Sequence, residues 1–404
     1  MNTAPLPENV PPQLVGKYPL FQGATTYENP YDTIIPNIHK DMPPIFWDPT
    51  ASLGIEPAWI LCRAADLTQV YLDNEHFTAR GFAGFSRLIE EDWDVLPIES
   101  DIPEHTRYRM LLTPLLTPAK VAEMEASVRK YAKVYIDKIK NKNSCDFVNE
   151  FAARYPIAVF LDLFGLPMDD VEQFLAWEQD LLMRDSDLGK VSNTLRTVKK
   201  FLCDEIDKRR ANPTDDLISY FVHTKIDGRE PTQDEAFGLC YNLFLGGLDT
   251  VTNSLGWYFR HLATHHEHQT LLRENPQLIP QATEEFLRAY SISTTARICT
   301  KEVEIGGVRF VPGDKVILST PLGSTDPTVH DNPTEVRFDR NARHLAFGSG
   351  VHNCVGRRLA LREIYIGIEE VLKAIPTFSI APNAKILTYL GSGPLAMETL
   401  PLVW

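Results

Sequence analysis

The 404-residue sequence lacks any apolar run approaching the roughly 18 to 20 residues that a membrane-spanning helix needs. Its first segment, MNTAPLPENVPPQLVG, is polar and proline-rich, without the basic and then apolar stretches of a signal peptide. The six cysteines are scattered and form no CxxC pair, which argues against a zinc site or a redox dithiol. Unpaired thiols without a secretion signal predict a reducing, cytoplasmic location.

The sequence also has fewer basic than acidic residues: 40 basic residues against 54 acidic ones give a formal net charge of -14. This balance disfavours a nucleic-acid partner or an anionic membrane surface. The chain has no internal repeat, no low-complexity tract and no composition break that would mark a linker. We therefore expect a single domain over residues 1–404, acting as a monomer, in which the proline-rich residues 1–56 form an irregular N-terminal region.

Strand signals are few, whereas apolar residues recur at helical spacing along most of the chain. The pattern predicts a mainly α protein with a small β portion. The longest helical stretch, 233–265, is apolar on nearly all sides, which is typical of a helix in the middle of a large protein. The other predicted helices lie near 118–142, 154–164, 169–184, 188–211, 278–289 and 354–374, and the strands near 58–62, 303–311, 315–319 and, as a pair, 376–404.

The most specific feature is the segment FGSGVHNCVG at residues 347–356, which we call the cysteine loop. A metal-binding thiolate needs its charge stabilised, and backbone N–H groups of a glycine-rich turn before a helix can do this. Gly348, Gly350 and Gly356 let the main chain approach a bound group closely. The alternative is that Cys354 is simply a buried apolar cysteine. The FxxGxxxCxG pattern argues against this, since it should occur by chance in roughly one chain in several hundred.

With this loop the chain resembles the cytochrome P450 family, and within it the camphor hydroxylase branch, down to the LGGLDTV segment and the ending LPLVW. The resemblance implies a mainly α fold with a long central helix over a haem b cofactor. It also implies that Cys354 ligates the iron, that Phe347 packs against the ligand loop and that Gly356 contacts the cofactor. Thiolate donation in such sites favours O–O cleavage.

A second motif, EFLR, places Glu285 and Arg288 three residues apart, so that both can lie on one helix face and pair there. Such pairs are common on surface helices, so the pair alone indicates little. This pair is informative because it lies about 70 residues before Cys354. The motif matches the family's ExxR, and Arg337 stands where the family usually has a third member of the network. We interpret these three residues as structural.

The middle of the long helix carries two adjacent glycines, which cost about 1 kcal/mol each relative to alanine in a helix interior. Thr250 follows Gly246 by four residues, and its hydroxyl can divert the backbone hydrogen bond and open the helix locally. Close helix packing at the glycines is the alternative. The resemblance implies an oxygen-binding groove at Gly246, in which Asp249 delivers protons and Thr250 provides a hydrogen bond.

The propionates of a buried haem need cationic partners, because buried carboxylates are costly unless they are paired. His105 and Arg109 are four residues apart on a predicted helix and match the family's propionate pair. Arg297 and His352 also fall at matching positions. Each residue alone would more often be an ordinary surface or core residue, whereas together they fit one site.

Five residues of the long helix share one face and should line a substrate pocket: Asn242, Leu245, Gly246, Asp249 and Thr250. The other predicted walls are Phe82, Phe85, Trp93, Val95, Ile98, Leu182, Met183, Ser293, Thr294, Pro394 and Leu395. Trp93 and Asn242 depart from the camphor hydroxylase pattern, which argues against camphor itself. We expect a terpenoid-like substrate with one oxygen, held by Asn242 or Trp93. Alternatively, Asn242 bonds a neighbouring helix and Trp93 fills space.

The chain contains no flavin or reductase segment, so electrons must arrive from outside. We expect an acidic [2Fe-2S] ferredoxin with a separate reductase, docking on the face of the cysteine loop. Residues 337–362 hold six arginines and one acid, Asp339: Arg337, Arg340, Arg343, Arg357, Arg358 and Arg362. The predicted activity is an O₂-dependent monooxygenase. The alternatives are a peroxygenase, whose family members lack the acid–alcohol pair, a non-catalytic haem sensor or electron carrier, and a cysteine hydrolase.

Overall fold

The computed structural model describes residues 6–52, 56–181, 187–391 and 393–404. About 52% of the chain is helical and 14% is strand, which confirms the predicted mainly α class. The helices are α1 (Ile34–Asp41), α2 (Ala64–Leu72), α3 (Phe85–Leu88), α4 (Glu104–Leu112), α5 (Pro118–Ile139), α6 (Arg154–Leu163), α7 (Val171–Leu181), α8 (Leu188–Ala211), α9 (Leu217–His223), α10 (Gln233–Thr264), α11 (His266–Glu274), α12 (Ile279–Ala289), α13 (Thr320–Ser324) and α14 (Arg357–Ala374).

The strands form small sheets at the edges of the helical body. They are β1 (Ala24–Thr26), β2 (Ile45–Ser52), β3 (Glu56–Leu61), β4 (Phe77–Thr78), β5 (Ser144–Asp146), β6 (Thr294–Cys299), β7 (Val303–Ile305), β8 (Val308–Phe310), β9 (Lys315–Ser319), β10 (Ser379–Ile380), β11 (Thr388–Leu390), β12 (Leu395–Met397) and β13 (Pro401–Val403). The largest sheet has the order β2-β3-β9-β6-β4. In it β3 and β9 run parallel, and the register of β6 against β9 pairs Arg297 with Val316.

Helix α10 runs through the centre of the molecule, as the sequence predicts. It begins where Thr232 and Glu235 form a capping box, in which the Thr232 hydroxyl accepts from the Glu235 N–H at 3.2 Å and the Glu235 carboxylate accepts from the Thr232 N–H at 2.8 Å. Most of its residues between Ala236 and Ala263 are buried, so it packs against neighbours on nearly all sides. The less buried stretch around Gly246 faces a cavity.

The predicted long helices agree with the structure to within a few residues at each end, whereas short elements were missed. The described part of residues 1–56 is not the irregular region that we expected, because α1, β1 and β2 lie within it. Their three- to eight-residue lengths are too short for a clear periodic pattern, and prolines obscure them further. The shorter helices α2, α9 and α11 were also not predicted.

Candidate active site

A cavity of about 710 Å³ lies between α10 and the cysteine loop. Its walls also include the α3 region, α4, the first residues of β6 and the segment before β12. Elements distant in sequence therefore meet around one cavity, at the less buried face of the central helix. This is the arrangement in which buried ligands are usually bound.

The cysteine loop is held in shape by hydrogen bonds between its own residues, made by both the backbone and the Asn353 side chain. The Cys354 N–H donates to the Phe347 carbonyl at 2.9 Å, and the Asn353 amide donates to the same carbonyl at 3.1 Å. Gly348 and Gly350 have φ angles of +64° and +68°, in the left-handed region that favours glycine. A Cβ on Gly350 would also lie 2.5 Å from the carbonyl oxygen of Tyr71. Turn geometry and packing on α2 thus explain these two glycines, in addition to any close approach of a bound group.

Cys354 borders the cavity, and α14 begins three residues later. Burial raises the pKa of the Cys354 thiol, while the Gly356 N–H, the Arg109 guanidinium and the Arg357 N–H act in the opposite direction. The Cys354 side chain is exposed where it borders the cavity, unlike an ordinary buried cysteine, and its neighbours include groups that stabilise a thiolate. Ligation to a metal would replace its proton.

Four basic side chains meet at another side of the cavity: His105 and Arg109 from α4, Arg297 from β6, and His352 from the cysteine loop. The His105 and His352 rings lie 4.4 Å apart. Burial, with the charges of Arg297, His105 and Arg109, lowers the pKa of His352 to about 3. Burial likewise lowers the pKa of His105, Arg109 and Arg297. In the described chain, no carboxylate forms an ion pair with any of the four.

This basic cluster fits a haem, because it is short of negative charge at the position where two propionates would be bound. The Nε2 atom of His105 is buried and has no hydrogen-bond partner. Arg297 donates to the Ala296 carbonyl at 2.7 Å, and its guanidinium carbon lies 5.8 Å from the Tyr71 ring centroid and 5.9 Å from that of Phe82. An anion with two carboxylates would satisfy the orphaned donor and relieve the mutual repulsion of the cations.

The opposite wall is α10. The Thr250 hydroxyl donates to the Gly246 carbonyl at 2.8 Å, although α10 is continuous through this turn and is not locally opened. Asp249 is buried, and the Asn253 amide donates both to its carboxylate and, at 2.9 Å, to its backbone carbonyl. Asp249 and Thr250 are both among the residues that line the cavity.

The two glycines of α10 have different surroundings. A Cβ on Gly246 would meet no atom within 4 Å, so this position leaves open space on the cavity side. A Cβ on Gly247 would lie 3.2 Å from the Phe160 ring on α6. Close packing therefore explains Gly247, whereas only the cavity explains Gly246.

Most of the predicted substrate contacts border the cavity: Phe82, Phe85, Ile98, Asn242, Leu245, Ser293, Thr294 and Pro394. Three others, which we had also expected to line the pocket, do not border the cavity. Trp93 packs edge-on against Phe237 and donates its indole N–H to Glu91 at 3.0 Å. Val95 and Leu395 are fully buried in the core. Leu182 and Met183 lie outside the described residues.

Asn242 is a polar residue on the side of the cavity formed by α10. It is 9% exposed and borders the cavity, yet in the described part of the chain its side chain makes no hydrogen bond to a neighbouring helix. The alternative that Asn242 bonds a neighbouring helix is therefore not supported. Its amide is available to a group inside the cavity.

The charged network of the EFLR motif is present, with one correction. Glu285 and Arg288 form a fully buried double hydrogen bond of 2.7 and 2.8 Å. The third guanidinium belongs to Arg340, whose Nε donates to Glu285 at 3.2 Å. Arg337 contributes only its backbone N–H to Glu285, at 3.0 Å, and its side chain pairs with Asp331. Two arginines three residues apart are both within reach, and only the turn between them decides which side chain points inward.

Two further residues at the cavity were not singled out from the sequence. Tyr71 supports Arg297 and donates to, or accepts from, the Thr295 hydroxyl at 3.3 Å. Glu363 is a buried carboxyl on α14, and burial raises its pKa well above the ordinary value. A glutamate among apolar neighbours, nine residues after Cys354, was the available signal.

The arginines of residues 337–362 are less free than their sequence suggests, because carboxylates from elsewhere reach them. Four have such partners: Arg337 with Asp331, Arg340 with Glu285 and Asp331, Arg357 with Glu284, and Arg362 with Glu125. Arg343 and Arg358 are exposed and have no carboxylate within ion-pair distance in the described ranges.

Among the described residues, no group of three or more histidine, cysteine, aspartate or glutamate side chains could hold a metal ion. The described helices also include none with the length and apolar character required to cross a membrane.

Comparison with known proteins identifies the family. The family model for Cytochrome P450 matches residues 170–384. Probable cytochrome P450 127A1 from Sinorhizobium fredii is 34% identical over 409 residues, which cover 100% of this chain and 98% of that protein. Steroid C26-monooxygenase from Mycolicibacterium smegmatis is 30% identical over 315 residues, covering 76% and 79%.

The crystal structure of cytochrome P450 CYP101C1 superposes with a TM-score of 0.87 at 32% identity and covers 99% of both chains. This similarity agrees with the predicted resemblance to the camphor hydroxylase branch. The chain therefore belongs to the cytochrome P450 family and is a cytochrome P450 monooxygenase, an oxidoreductase whose cofactor is haem b.

Proposed function

We propose that Cys354 is the axial ligand of the haem iron and that the enzyme hydroxylates a small hydrophobic substrate, with O₂ and with electrons from a ferredoxin. The observation that carries this proposal is the convergence of three features on one cavity: the cysteine loop, the basic cluster, and the Asp249–Thr250 wall of α10. Bound haem supplies the oxygen-activating chemistry. His105, Arg109, Arg297 and His352 would hold its propionates.

The residues of α10 have separate tasks in this proposal. Asp249, fixed by Asn253, brings protons to the cavity. The Thr250 hydroxyl hydrogen is used by the Gly246 carbonyl, which leaves the hydroxyl oxygen able to accept a hydrogen bond on the cavity side. Gly246 keeps the adjacent space free of a side chain. Apolar walls from Phe82, Leu245 and other residues exclude water.

For the substrate, we propose a terpenoid or similar alicyclic compound that bears one oxygen. The cavity is lined mainly by apolar side chains, and Asn242 is a polar group on its wall without a protein partner in the described chain. Trp93 is no longer a candidate anchor, because Glu91 accepts its indole N–H. Asn242 thus remains as the group proposed to orient the substrate oxygen.

The proposed electron donor is an acidic [2Fe-2S] ferredoxin with a separate reductase, docking on the face of the cysteine loop. Arg343 and Arg358 carry this proposal, since the other four arginines of residues 337–362 have carboxylate partners. We further propose that the enzyme acts as a monomer in the cytoplasm. All six cysteines are free thiols, which suits a reducing compartment.

Carbon monoxide difference spectra of the reduced protein test the ligand assignment. Wild type should give the thiolate-type spectrum, and Cys354→Ala should lose it. Cys145→Ala, which removes a buried thiol in β5, is the matched control and should retain it. Product formation that needs O₂, reductase and ferredoxin, and that peroxide alone does not support, distinguishes the monooxygenase from a peroxygenase. A thiolate-type spectrum in Cys354→Ala would overturn the assignment.

A further inference from the structure

Glu284 directly precedes the buried Glu285 on α12. It lies next to both ends of the cysteine loop. Its carboxylate accepts from His344 Nε2 at 2.9 Å, three residues before the loop begins. The same oxygen lies 3.6 Å from a guanidinium nitrogen of Arg357, the first residue of α14 and the first after the loop. One carboxylate on α12 therefore joins the two ends of the segment that presents Cys354.

The His344 ring has its roles fixed by its neighbours. Its Nδ1 accepts from the Ala346 backbone N–H at 3.3 Å, so the hydrogen resides on Nε2 and is donated to Glu284. This hydrogen bond lowers the pKa of Glu284, and the charge of Arg357 acts in the same direction. Glu284 is therefore anionic at neutral pH, although only 33% of its side chain is exposed.

Arg357 lies over the cysteine loop. Its guanidinium carbon is 5.2 Å from the centroid of the Phe347 ring. The backbone carbonyl of Phe347 accepts the hydrogen bond from the Cys354 N–H. Its side chain is 44% exposed, in contrast to Arg340, which is 6% exposed and committed to Glu285. Arg357 is also the cation of α14 that follows Cys354 most closely in the sequence, three residues after it.

We propose that Glu284 and Arg357 are positioning residues that set the electrostatic potential at the Cys354 sulfur and, through it, the reduction potential of the haem. Reduction adds negative charge, which a nearby cation stabilises and a nearby anion destabilises. Arg357 raises the reduction potential, and Glu284 lowers it by partly neutralising Arg357. The inference rests on the proposed ligation of haem by Cys354.

Spectroelectrochemical titration of the purified holoenzyme tests this pair, because the two charge-removing variants should shift the potential in opposite directions. At a fixed applied potential, Arg357→Gln should lower the ratio of reduced to oxidised haem about two- to fourfold. Glu284→Gln should raise this ratio by a similar factor while still accepting the His344 hydrogen bond. The double variant should return close to wild type, because it removes one charge of each sign.

Two further variants separate charge from packing. Arg357→Lys keeps the charge and should keep the wild-type ratio, although it loses the planar contact with Phe347. Arg362→Gln removes a cation on the same helix that is paired with Glu125 and should have a smaller effect. Shifts of the same sign in Arg357→Gln and Glu284→Gln, or an unchanged ratio in both, would overturn the inference.

The carbon monoxide spectrum keeps this inference distinct from the proposed function. If wild type lacks the thiolate-type spectrum, the ligation by Cys354 fails and the inference fails with it. If wild type shows this spectrum and the two variants do not shift in opposite directions, only the tuning by Glu284 and Arg357 is overturned.

Discussion

At single residues, a substitution of Thr250 can distinguish an effect on substrate binding from an effect on oxygen activation. We predict that Thr250→Ala retains substrate binding and diverts reducing equivalents to hydrogen peroxide, because the cavity loses the hydroxyl oxygen that faces it. Thr250→Ser keeps the hydroxyl and should restore much of the coupling. Product and peroxide are measured per NAD(P)H consumed. Tight coupling in Thr250→Ala would contradict the role.

Asn242 tests the substrate proposal, because its amide borders the cavity without a protein partner in the described chain. A neutral hydrogen bond contributes about 0.5–1.5 kcal/mol. Asn242→Leu should therefore weaken binding of an oxygenated terpenoid by up to roughly tenfold and scatter the position of hydroxylation. Titrations follow the spin-state change of the haem, and the deoxygenated analogue is the matched control. Equal affinities and identical products in both proteins would exclude Asn242 as the anchor.

At the scale of elements, the Glu285 network joins α12 to the segment that precedes the cysteine loop. The Arg340 side chain is buried against Glu285. The Arg337 side chain instead pairs with Asp331 at the surface, and only the Arg337 backbone N–H donates to Glu285. Arg340→Ala should lower the free energy of unfolding by about 1–3 kcal/mol, since it leaves a buried carboxylate short of a partner. Arg337→Ala should cost less than about 1 kcal/mol.

Urea denaturation of the holo-proteins, followed by circular dichroism, measures these two variants side by side. Stability should increase in the order Arg340→Ala, then Arg337→Ala, then wild type. A larger loss in Arg337→Ala than in Arg340→Ala would show that the third cation of the network had been wrongly assigned.

At the scale of the whole molecule, a cationic docking face must act against a net charge of -14. Steering of an acidic ferredoxin by such a face weakens as ionic strength rises. Arg358→Glu should slow electron transfer from ferredoxin several-fold at low salt, with the difference shrinking at high salt. Arg196→Glu, the same charge change at an exposed residue of α8, is the control. Rates indifferent to salt and to both variants would contradict this docking face.

The stability of the whole fold should also depend on pH through buried histidines. Burial, with the charges of His265, His268 and Arg260, lowers the pKa of His261 from 6.5 to about 2. Between these values the unfolded chain binds a proton that the folded protein excludes, so acidification favours unfolding. The contribution of His261 is complete above about pH 7 and is lost below about pH 6.5, by about 1.4 kcal/mol per pH unit.

His261→Gln isolates this effect, because Gln can still bond the Tyr290 hydroxyl and His268 without titrating. The stability difference between wild type and His261→Gln should be constant above about pH 7 and should shift in favour of the variant as the pH falls. Urea titrations from pH 7.5 to 5 measure it, and His223→Gln controls for loss of an exposed imidazole. A difference independent of pH would contradict the buried, neutral state of His261.

The fold class and the long helices could be predicted from local sequence patterns, and the same patterns indicated candidate residues for the haem site. Periodicity is a local property, so the bounds of α8 and α10 follow from the spacing of their apolar residues. The FxxGxxxCxG loop, EFLR and the LGGLDT segment are also local patterns. Their chemistry could therefore be inferred before their positions in space were known.

Which side chains face the cavity, and which cations are paired, depends on how distant segments of the chain pack together. Trp93 and Val95 come from an irregular loop that has no periodicity to indicate its inward face, and both turned into the core. The choice of Arg340 over Arg337, and the capture of Arg357 by Glu284, depend on contacts between residues more than 50 positions apart. Such ion pairs are decided by the packing of α12 against the segments around the cysteine loop, which no local pattern encodes.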